Sequence, residues 1–476
     1  MEDSAHVVSL YQSEVKIYAR SVKGKFNNWR WLIVWATQLV FYGLPWLTIN
    51  QRQAVLFDLG ARRFYIFNLV LYPQDLIYLT GLLVICAFSL FLFTAIAGRL
   101  WCGYACPQTV YTEIFMWVER KLEGDRIARM KRDASSLAFE NLFRKFCKHA
   151  VWITISLWTG FTFVGYFTPI LSLATEVIGT SLGPWESFWI CFYGLATYGN
   201  AGWMREQVCK YMCPYARFQS AMFDRDTLIV TYDEKRGEQR GSRPRADSPA
   251  IYQSKGLGDC IDCGLCVQVC PTGIDIRKGL QYECISCSAC VDVCNGVMKK
   301  MNYPLGLIKN STQNGIDQNL SNAQIVKRVL RPRVLIYSAI LLAISIGLLT
   351  SLALRTNFKV DVVRDRGTAM QFGEGLFENT YRLQIMNATE QEQTYLITAS
   401  GLNGLTIVSP ASPTLVSVDS ASSRWISVRL QAPIRGNQKG IEMGIEKGSH
   451  PIEFSIQSQA SKKEILHEKS VFLTAR

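Results

Sequence analysis

The sequence predicts a multi-domain membrane protein with five transmembrane α-helices, a cysteine-rich α+β domain and a C-terminal β-sandwich. Three observations lead to this prediction: five long stretches without a charged residue, twelve of the 15 cysteines in four short motifs, and a change to alternating apolar and polar residues after residue 355. A chain of 476 residues is also too long for one ordinary hydrophobic core, so several modules are expected.

The five uncharged stretches approach or reach the roughly 20 residues that a helix needs to cross a bilayer. They are residues 31–49, 76–97, 150–169, 187–203 and 334–354. We interpret all five as membrane-spanning helices. The fourth is the weakest, because it is short and contains Gly194, Gly199 and Asn200. A buried helix of a soluble domain is the alternative there.

Lysine and arginine predict the orientation, because loops rich in these residues stay on the cytosolic side. Five of them precede residue 31 and ten lie in residues 99–149, whereas the opposing loop 50–75 has three. The polar first 20 residues lack the apolar segment of a cleavable signal peptide, so the N-terminus is also expected in the cytosol. With five spans, residues 204–332 are then cytosolic and residues after 354 lie across the membrane.

The net charge of +13 raises the question of nucleic-acid binding. Much of this charge flanks the predicted spans, where it sets topology and contacts anionic lipid. Membrane lipid is therefore an expected partner, and nucleic acid is not.

Two copies of the spacing CxxCxxCxxxC form the centre of the cysteine-rich domain, "CIDCGLCVQVC" from Cys260 and "CISCSACVDVC" from Cys284. In this spacing three thiolates bind one iron–sulfur cubane and the fourth cysteine binds the other cubane. One [4Fe-4S] cluster is assigned to Cys260, Cys263, Cys266 and Cys294, and the other to Cys284, Cys287, Cys290 and Cys270. The pattern predicts a bacterial-type double-cluster ferredoxin domain.

A zinc ribbon is the alternative for this domain, because CxxC pairs also bind zinc. The regularly placed third and fourth cysteines of each copy, with Pro271 after the first, fit cubanes better. Asn295 stands where the second copy would usually have proline, which leaves a backbone N–H that could bond a cluster sulfur. Clusters carry single electrons, so the acceptor must lie elsewhere.

A second pair of motifs has the spacing CxxxCP. "WCGYACPQT" places Cys102 and Cys106 after the second uncharged stretch, and "CKYMCPYAR" places Cys209 and Cys213 after the fourth. The prolines disfavour helix at the preceding cysteine but begin a new helix well, so each motif is expected in a turn between a span and an interfacial helix.

The repeated arrangement of span and CxxxCP predicts two related halves that bring four thiols into one site. Thiolates are soft ligands that suit Cu(I), iron in clusters or zinc, and spacing does not choose among them. Inert cysteines or a redox disulfide pair are the alternatives. The chain has only four histidines, none in a predicted span, so a membrane b-type haem is not expected. It has no GxGxxG after a strand, so an internal flavin or nicotinamide site finds no support.

Beyond residue 355, short alternating segments such as "TYRLQIMNA" and "HPIEFSIQS" predict a small all-β sandwich. The whole chain is thus divided into seven predicted modules. They are an N-terminal segment (1–30), four transmembrane helices with both CxxxCP motifs (31–203), a connector (204–255), the ferredoxin domain (256–303), a second connector (304–332), the fifth transmembrane helix (333–354) and the β-sandwich (355–476).

This order of modules resembles the cytochrome c oxidase accessory proteins of the FixG/CcoG/RdxA type. The resemblance covers nearly the whole chain, including "VTYDEKRGEQRG" ahead of the ferredoxin domain. It implies a multi-pass protein of the bacterial inner membrane, with a cytosolic ferredoxin domain and a periplasmic, Ig-like C-terminal domain.

The resemblance further implies reduction of Cu(II) to Cu(I) during maturation of the cbb-type haem–copper oxidase. The eight ferredoxin cysteines would be cluster ligands, and Cys102, Cys106, Cys209 and Cys213 would bind or reduce copper. The implied partners are copper ions, the oxidase assembly machinery and a cytosolic electron donor of unknown identity. The oligomeric state, a homo-oligomer included, stays open.

Two other functions fit the same modules. The chain is also similar to membrane ferredoxins of nitrate- and nitrous-oxide-reductase systems, which share CxxxCP motifs and relay electrons to a periplasmic partner. The β-domain after the last span favours the accessory family over this relay. A scaffold that recruits oxidase subunits is the third interpretation, and it would keep its function after loss of the cluster cysteines.

Overall fold

A computed structural model describes residues 16–135, 139–245, 249–365, 370–372, 376–409, 414–433, 448–461 and 464–474. The start of the predicted N-terminal segment, residues 246–248 of the first connector and several short stretches of the predicted sandwich lie outside these residues. The chain divides into two compact units. The first is Met1–Trp46 with Thr80–Ile346, and the second is Leu47–Leu79 with Gly347–Arg476.

The helices are numbered in chain order. They are α1 (Lys25–Gly43), α2 (Leu76–Ala97), α3 (Leu100–Tyr104), α4 (Pro107–Glu123), α5 (Arg126–Ala134), α6 (Phe139–Val164), α7 (Ile170–Ile178), α8 (Pro184–Thr197), α9 (Pro214–Met222), α10 (Glu234–Gly237), α11 (Pro249–Ser254), α12 (Leu265–Gln268), α13 (Ala289–Met301), α14 (Gln313–Asp317), α15 (Asn322–Lys327) and α16 (Pro332–Ala353). Two π-helical segments, Tyr198–Met204 and Val208–Met212, follow α8.

The strands are likewise numbered along the chain. They are β1 (Thr48–Ile49), β2 (Arg52–Gln53), β3 (Val55–Asp58), β4 (Arg63–Ile66), β5 (Leu69–Leu71), β6 (Ile229–Tyr232), β7 (Ile308–Ser311), β8 (Phe358–Arg364), β9 (Met370–Phe372), β10 (Leu376–Asn387), β11 (Gln393–Ser400), β12 (Thr406–Ser409), β13 (Thr414–Val418), β14 (Ser423–Pro433), β15 (Ser449–Ser458) and β16 (Ile465–Leu473).

Within the described ranges, two helices are long and apolar enough to cross a membrane. They are Pro73–Ala97, which contains α2, and Pro332–Ala353, which is α16, with mean hydropathies of 2.5 and 2.2. Both are almost unburied by protein, which indicates association with a membrane.

The prediction of five spans is not confirmed, because the other three stretches differ from a simple apolar helix. α1 ends at Gly43, and the chain then turns into β1 instead of continuing as a helix to residue 49. α6 begins at Phe139, so its first turns carry charged residues such as Arg144 and Lys148. α8 has only 14 residues before the π-helical segment.

The helical part of the first unit is held together where α6 passes α4 and α8. A Cβ on Gly160 of α6 would lie 2.3 Å from the carbonyl oxygen of Ile190, so the glycine lets α8 approach closely. On α4, Phe115 stacks against Trp152 with ring centroids 5.1 Å apart. The indole N–H of Trp152 also donates to the Phe115 carbonyl at 3.1 Å. These contacts hold α4, which begins at Pro107 of the first CxxxCP motif, in a fixed position against α6.

The predicted ferredoxin domain contains α12 and α13 and is flanked by an antiparallel pair of strands. β6 pairs with β7 from Ile229 opposite Ser311 to Tyr232 opposite Ile308. Val230, Tyr232 and Ile308 belong to the same hydrophobic core as Cys260 and Cys266. The folded domain therefore extends beyond the predicted boundaries of 256–303 on both sides.

The second unit contains the predicted β-sandwich. One sheet has the order β12-β14-β10-β8, with β9 paired to β10, and the other has the order β13-β11-β15-β16. Alternate residues point inward, so Leu383, Ile385, Ile397 and Phe454 are fully buried between the sheets.

A small antiparallel sheet of β3, β4 and β5 packs on the sandwich, although the sequence predicts only a loop there. Val70 and Tyr72 share a hydrophobic cluster with Met386. Buried Asp75 pairs with Arg355 at 3.6 Å and with Lys359 at 3.3 Å. This loop between α1 and α2 is thus part of the C-terminal unit.

Candidate functional site

Two cavities in the ferredoxin domain are each lined by four of its cysteines. The sets are Cys260, Cys263, Cys266 and Cys294 in one cavity, and Cys270, Cys284, Cys287 and Cys290 in the other, which Cys266 also borders. Each set combines three cysteines of one motif with the last cysteine of the other motif. The structure therefore brings the eight cysteines together in the two sets that the spacing predicts.

The backbone around the two cavities follows the same path. Asp262 and Gly264 in the first motif have φ of 51° and 64°, and Ser286 and Ser288 at the equivalent positions have 55° and 57°. Such left-handed residues make the tight turns that let three cysteines face one point. Their repetition shows that both motifs form one kind of loop.

The second motif differs from the usual pattern at Asn295, and the structure explains the absence of proline. Asn295 lies in the middle of α13, where proline would break the helix. Its N–H is part of the regular intrahelical bonding of an α-helix, so it is not available to a cluster sulfur as the sequence suggested. The side-chain oxygen instead accepts a hydrogen bond from the N–H of Gly306 at 2.9 Å.

The donor sets fit iron–sulfur clusters better than single metal ions. In a tetrahedral zinc site the thiolates lie about 3.8 Å apart. Among the described residues, the CxxxCP cysteines included, no group of three or more His, Cys, Asp or Glu side chains is arranged to hold one metal ion. Burial raises the pKa of Cys266 to about 11 and of Cys284 and Cys294 to about 12. A bound cationic centre would therefore be needed to keep these thiols ionised.

We expect the anaerobically purified protein to contain about eight iron atoms per chain, since each of the two [4Fe-4S] clusters contains four. Metal analysis and electron paramagnetic resonance of the reduced protein check this. Stoichiometric zinc with little iron would contradict the assignment. About twelve iron atoms would indicate a further cluster at the CxxxCP motifs.

The CxxxCP motifs have the local structure that their prolines predict. Cys106 has φ −61° and ψ 128° and Cys213 has φ −80° and ψ 108°, so both are extended. Pro107 then begins α4 and Pro214 begins α9. Proline suits the first helical position because its missing N–H would have no partner there.

The four CxxxCP thiols lie close together, as the repeated motif predicts. Burial raises the pKa of Cys102 to about 12, with further contributions from the nearby thiols of Cys106, Cys209 and Cys213. Burial likewise raises the pKa of Cys209 to about 11, and Cys106 and Cys213 add to that shift. We call these four residues the cysteine quartet. Its Cys102 Sγ lies 3.3 Å from the side-chain oxygen of buried Gln219.

The quartet is packed directly against the second ferredoxin cavity. A Cβ on Gly103 would lie 2.5 Å from the carbonyl oxygen of Ile285 and 2.9 Å from the backbone nitrogen of Cys287. Only glycine allows this approach of two backbones. Cys102 packs against the same small cluster of side chains as Cys287 and Cys290.

Two buried arginines lie at this junction, and the sequence indicates only a role in topology for them. Arg99 interacts with the thiols of Cys102 and Cys209 on one side and Cys284 on the other. Arg30 lies beside Cys287. Arg30 directly precedes the first predicted span and Arg99 follows the second after one residue, where basic residues are expected for topology alone. No sequence pattern distinguishes them from their basic neighbours.

Arg30 is held in place by Glu113 on α4. The two side chains form an ion pair that is almost completely buried, and Arg120 contacts the same carboxylate at 3.1 Å. Burial favours the neutral acid, but Arg30 and Arg120 outweigh it and lower the pKa of Glu113. Glu113 is therefore ionised at neutral pH and positions the guanidinium next to the second cavity.

Comparison with protein-family models gives three matches. Residues 204–313 match a "4Fe-4S dicluster domain", residues 79–124 match a "4Fe-4S binding domain", and residues 348–475 match the "IG-like fold at C-terminal of FixG". The first match contains all eight ferredoxin cysteines, and the second contains Cys102 and Cys106. The third confirms the Ig-like prediction for the sandwich.

Three curated proteins are similar to most of the chain. Nitrogen fixation protein FixG of Rhizobium meliloti (strain 1021) is 37% identical over 84% of this chain and 82% of its own length. Protein RdxA of Cereibacter sphaeroides is 34% identical over 83% of this chain and 84% of its own length. Protein RdxB of the same organism is 37% identical over 82% of this chain and 83% of its own length. Together with the two iron–sulfur domains and the C-terminal sandwich, this similarity shows that the chain belongs to the FixG family of iron–sulfur proteins.

Proposed function

We propose that this protein is a membrane-bound cupric reductase that passes electrons through two [4Fe-4S] clusters to the cysteine quartet. There Cu(II) accepts one electron and becomes Cu(I). The resemblance to oxidase accessory proteins supports delivery of this copper to a cbb-type cytochrome c oxidase. It also supports a place in the bacterial inner membrane, with the ferredoxin domain in the cytosol and the sandwich in the periplasm.

The observation that carries this proposal is the contact of Gly103 and Cys102 with Cys287. It makes the quartet and the second ferredoxin cavity neighbours. Cys266 borders both ferredoxin cavities, and Cys263 of the first cavity is exposed to solvent. The cysteines therefore form a continuous series from an exposed end to the quartet, which suits a donor at the first cavity and an acceptor at the quartet.

When bound, the clusters supply one-electron carriers, and the protein sets their surroundings. Arg99 and Arg30 place positive charge between the second cavity and the quartet. Positive charge beside a sulfur-bound centre favours its reduced state, so these residues help to draw an electron toward the quartet. Glu113 holds Arg30 in that position.

The quartet suits copper because thiolates stabilise Cu(I) over Cu(II). Its thiols carry raised pKa values, so copper must displace protons to bind them. A metal that binds in this way is released more easily than one held by preformed thiolates, as a site that passes copper on requires.

A second candidate for the quartet is a third iron–sulfur cluster. The match of residues 79–124 to a 4Fe-4S binding domain favours it, because Cys102 and Cys106 lie in that range. The protein would then relay electrons to a partner without a substrate of its own.

The test uses full-length protein purified without oxygen, reduced with dithionite and freed of excess reductant. We expect added Cu(II) to yield about two Cu(I) per chain, because two clusters store about two electrons. A Cu(I)-specific chelator and the cluster absorbance measure both sides of the reaction. Cys86→Ser, outside the four motifs, is the matched control and should behave like the wild type. Reduced clusters that stay reduced in the presence of Cu(II) would contradict the proposal and favour the relay.

A further inference from the structure

A cavity of about 470 Å³ in the first unit lies beside the quartet and is not used by the function proposed above. Its volume is in the range of sites for small organic molecules. α6 and the π-helical segment after α8 form much of its wall, through His149, Trp152 and Trp203. Arg205 and Glu206 form the side toward the quartet.

One part of the cavity wall is aromatic, within a lining whose other residues are mostly charged. The imidazole of His149 lies edge-on to Trp152 at 5.3 Å between ring centroids and nearly parallel to Trp203 at 5.9 Å. The indole N–H of Trp152 is fixed by the Phe115 carbonyl, so this ring cannot turn away. Such walls suit a flat ring.

The polar groups of the cavity suit an uncharged ligand that makes hydrogen bonds through groups on the edge of its ring. Lys148 pairs with Glu123 at 2.8 Å, and Arg205 pairs with Glu119 at 3.2 Å. Because these cations have carboxylate partners, the cavity is poorly suited to an anion. Nδ1 of His149 lies 2.9 Å from the Tyr198 hydroxyl. In the tautomer in which Nδ1–H donates to that hydroxyl, Nε2 can accept a hydrogen bond from a ligand.

The cavity adjoins the quartet through two residues. Arg205 and Glu206 line both this cavity and a smaller one that contains Cys209 and Ile285. The carboxylate of Glu206 is also near enough to Cys209 to influence its thiol. A ligand in the larger cavity would therefore lie next to the residues that exchange electrons.

The predicted spans 150–169 and 187–203 would place this cavity at a membrane surface, within reach of a lipid-soluble molecule. His149 directly precedes the predicted span 150–169, and Trp203 ends the predicted span 187–203. Tryptophan is enriched at this boundary between membrane and water.

We propose that this cavity binds a quinol, a lipid-soluble carrier of two electrons and two protons, as a second electron donor that reaches the cysteine quartet directly, in addition to the route through the clusters. The inference rests on the proposed function, because it names a donor for that site. In the balanced reaction, one quinol loses two electrons and two hydroxyl protons and becomes a quinone, while two Cu(II) become two Cu(I). Nε2 of His149 accepts the proton of one quinol hydroxyl and passes it to solvent, and the proton of the other hydroxyl is released directly to solvent.

The test compares two reductants in full-length protein held in lipid nanodiscs. Decylubiquinol and dithionite each drive Cu(I) formation, and a photoreactive azidoquinone, mapped by mass spectrometry, reports binding without any turnover. We expect His149→Phe, which keeps a ring but removes the hydrogen bond, to weaken quinone binding and quinol-driven reduction about tenfold. Dithionite-driven reduction should not change. His467→Phe, an exposed histidine of the sandwich, is the matched control.

Azidoquinone labelling at Trp203 or its neighbours, lost in His149→Phe, would support the proposal. Labelling elsewhere, or equal quinone binding by wild type and His149→Phe, would overturn it. Competition by anionic phospholipid but not by quinone would also overturn it and assign the cavity to a lipid headgroup. If neither reductant yields Cu(I) while quinone still binds in the cavity, the cupric reductase proposal fails and the quinone site stands.

Discussion

Replacing either CxxxCP pair with serine is expected to lower cupric reduction by at least about 100-fold. Replacing all four cysteines should lower it by about the same factor as replacing one pair, since the effects of groups that act as one unit are not additive. The reason is that Cys102, Cys106, Cys209 and Cys213 lie near enough to influence one another's thiols. Two thiolates alone would leave a metal under-coordinated. Cu(I) formation by dithionite-reduced protein measures the loss.

The ferredoxin clusters should survive these substitutions, because their eight ligands lie in two cavities of their own. Iron content and cluster absorbance check this for each variant. Cys191→Ser, outside the motifs, is the control for removing a thiol from this part of the chain. If the quadruple serine variant reduces Cu(II) at the wild-type rate with its clusters intact, copper receives its electron elsewhere, such as at the exposed Cys263.

The parts of the site that sequence could predict are those fixed by local spacing. The exchange of Cys270 and Cys294 between the two cavities follows from CxxCxxCxxxC, because in two-cluster ferredoxins with this spacing the fourth cysteine binds the other cluster. The turns at Cys106 and Cys213 follow from the prolines after them. The sandwich follows from its alternating residues, whose period of two matches a pleated strand.

The parts that sequence missed depend on contacts between distant segments. Nothing near Gly103 indicates that it meets Ile285, more than 180 residues later. The pairing of Asp75 with Arg355 likewise joins a loop between two helices to the C-terminal unit. Arg30 and Arg99 resemble other membrane-flanking basic residues in sequence, and only the fold shows that they are buried beside thiols.

The five-span prediction shows a different limit. It relied on the absence of charge, which identifies α2 and α16 but says little about where a helix starts. α6 begins eleven residues before its uncharged stretch, and the polar part of α6 forms the wall of the large cavity with Lys148 and His149. Lys148 and His149 therefore lie outside the segment that the sequence selected, although Trp152 of the same wall lies inside it.

Glu113→Ala is expected to be the most destabilising single change near the site, by about 3–5 kcal/mol, because it leaves the buried Arg30 guanidinium without its partner. Since the folded pKa of Glu113 is lowered, its stabilising effect is present above the ordinary carboxyl pKa and is lost as the pH falls through the folded value. Denaturant titrations followed by circular dichroism measure both. Exposed Glu140→Ala on α6 is the control and should change stability by less than about 1 kcal/mol.

Replacing both partners separates the cost of an unpaired charge from other effects of the change. Arg30→Met with Glu113→Leu removes the charges and keeps similar volume, so most of the lost stability should return. The second cluster should nevertheless have a lower reduction potential, because a positive charge beside Cys287 is gone. A redox titration measures the reduction potential of the second cluster. If the Arg30–Glu113 pair had only a structural role, this potential would not change. If the double variant is as unstable as Glu113→Ala, the unpaired charge is not the cause; if its potential equals that of the wild type, Arg30 has no role in electron transfer.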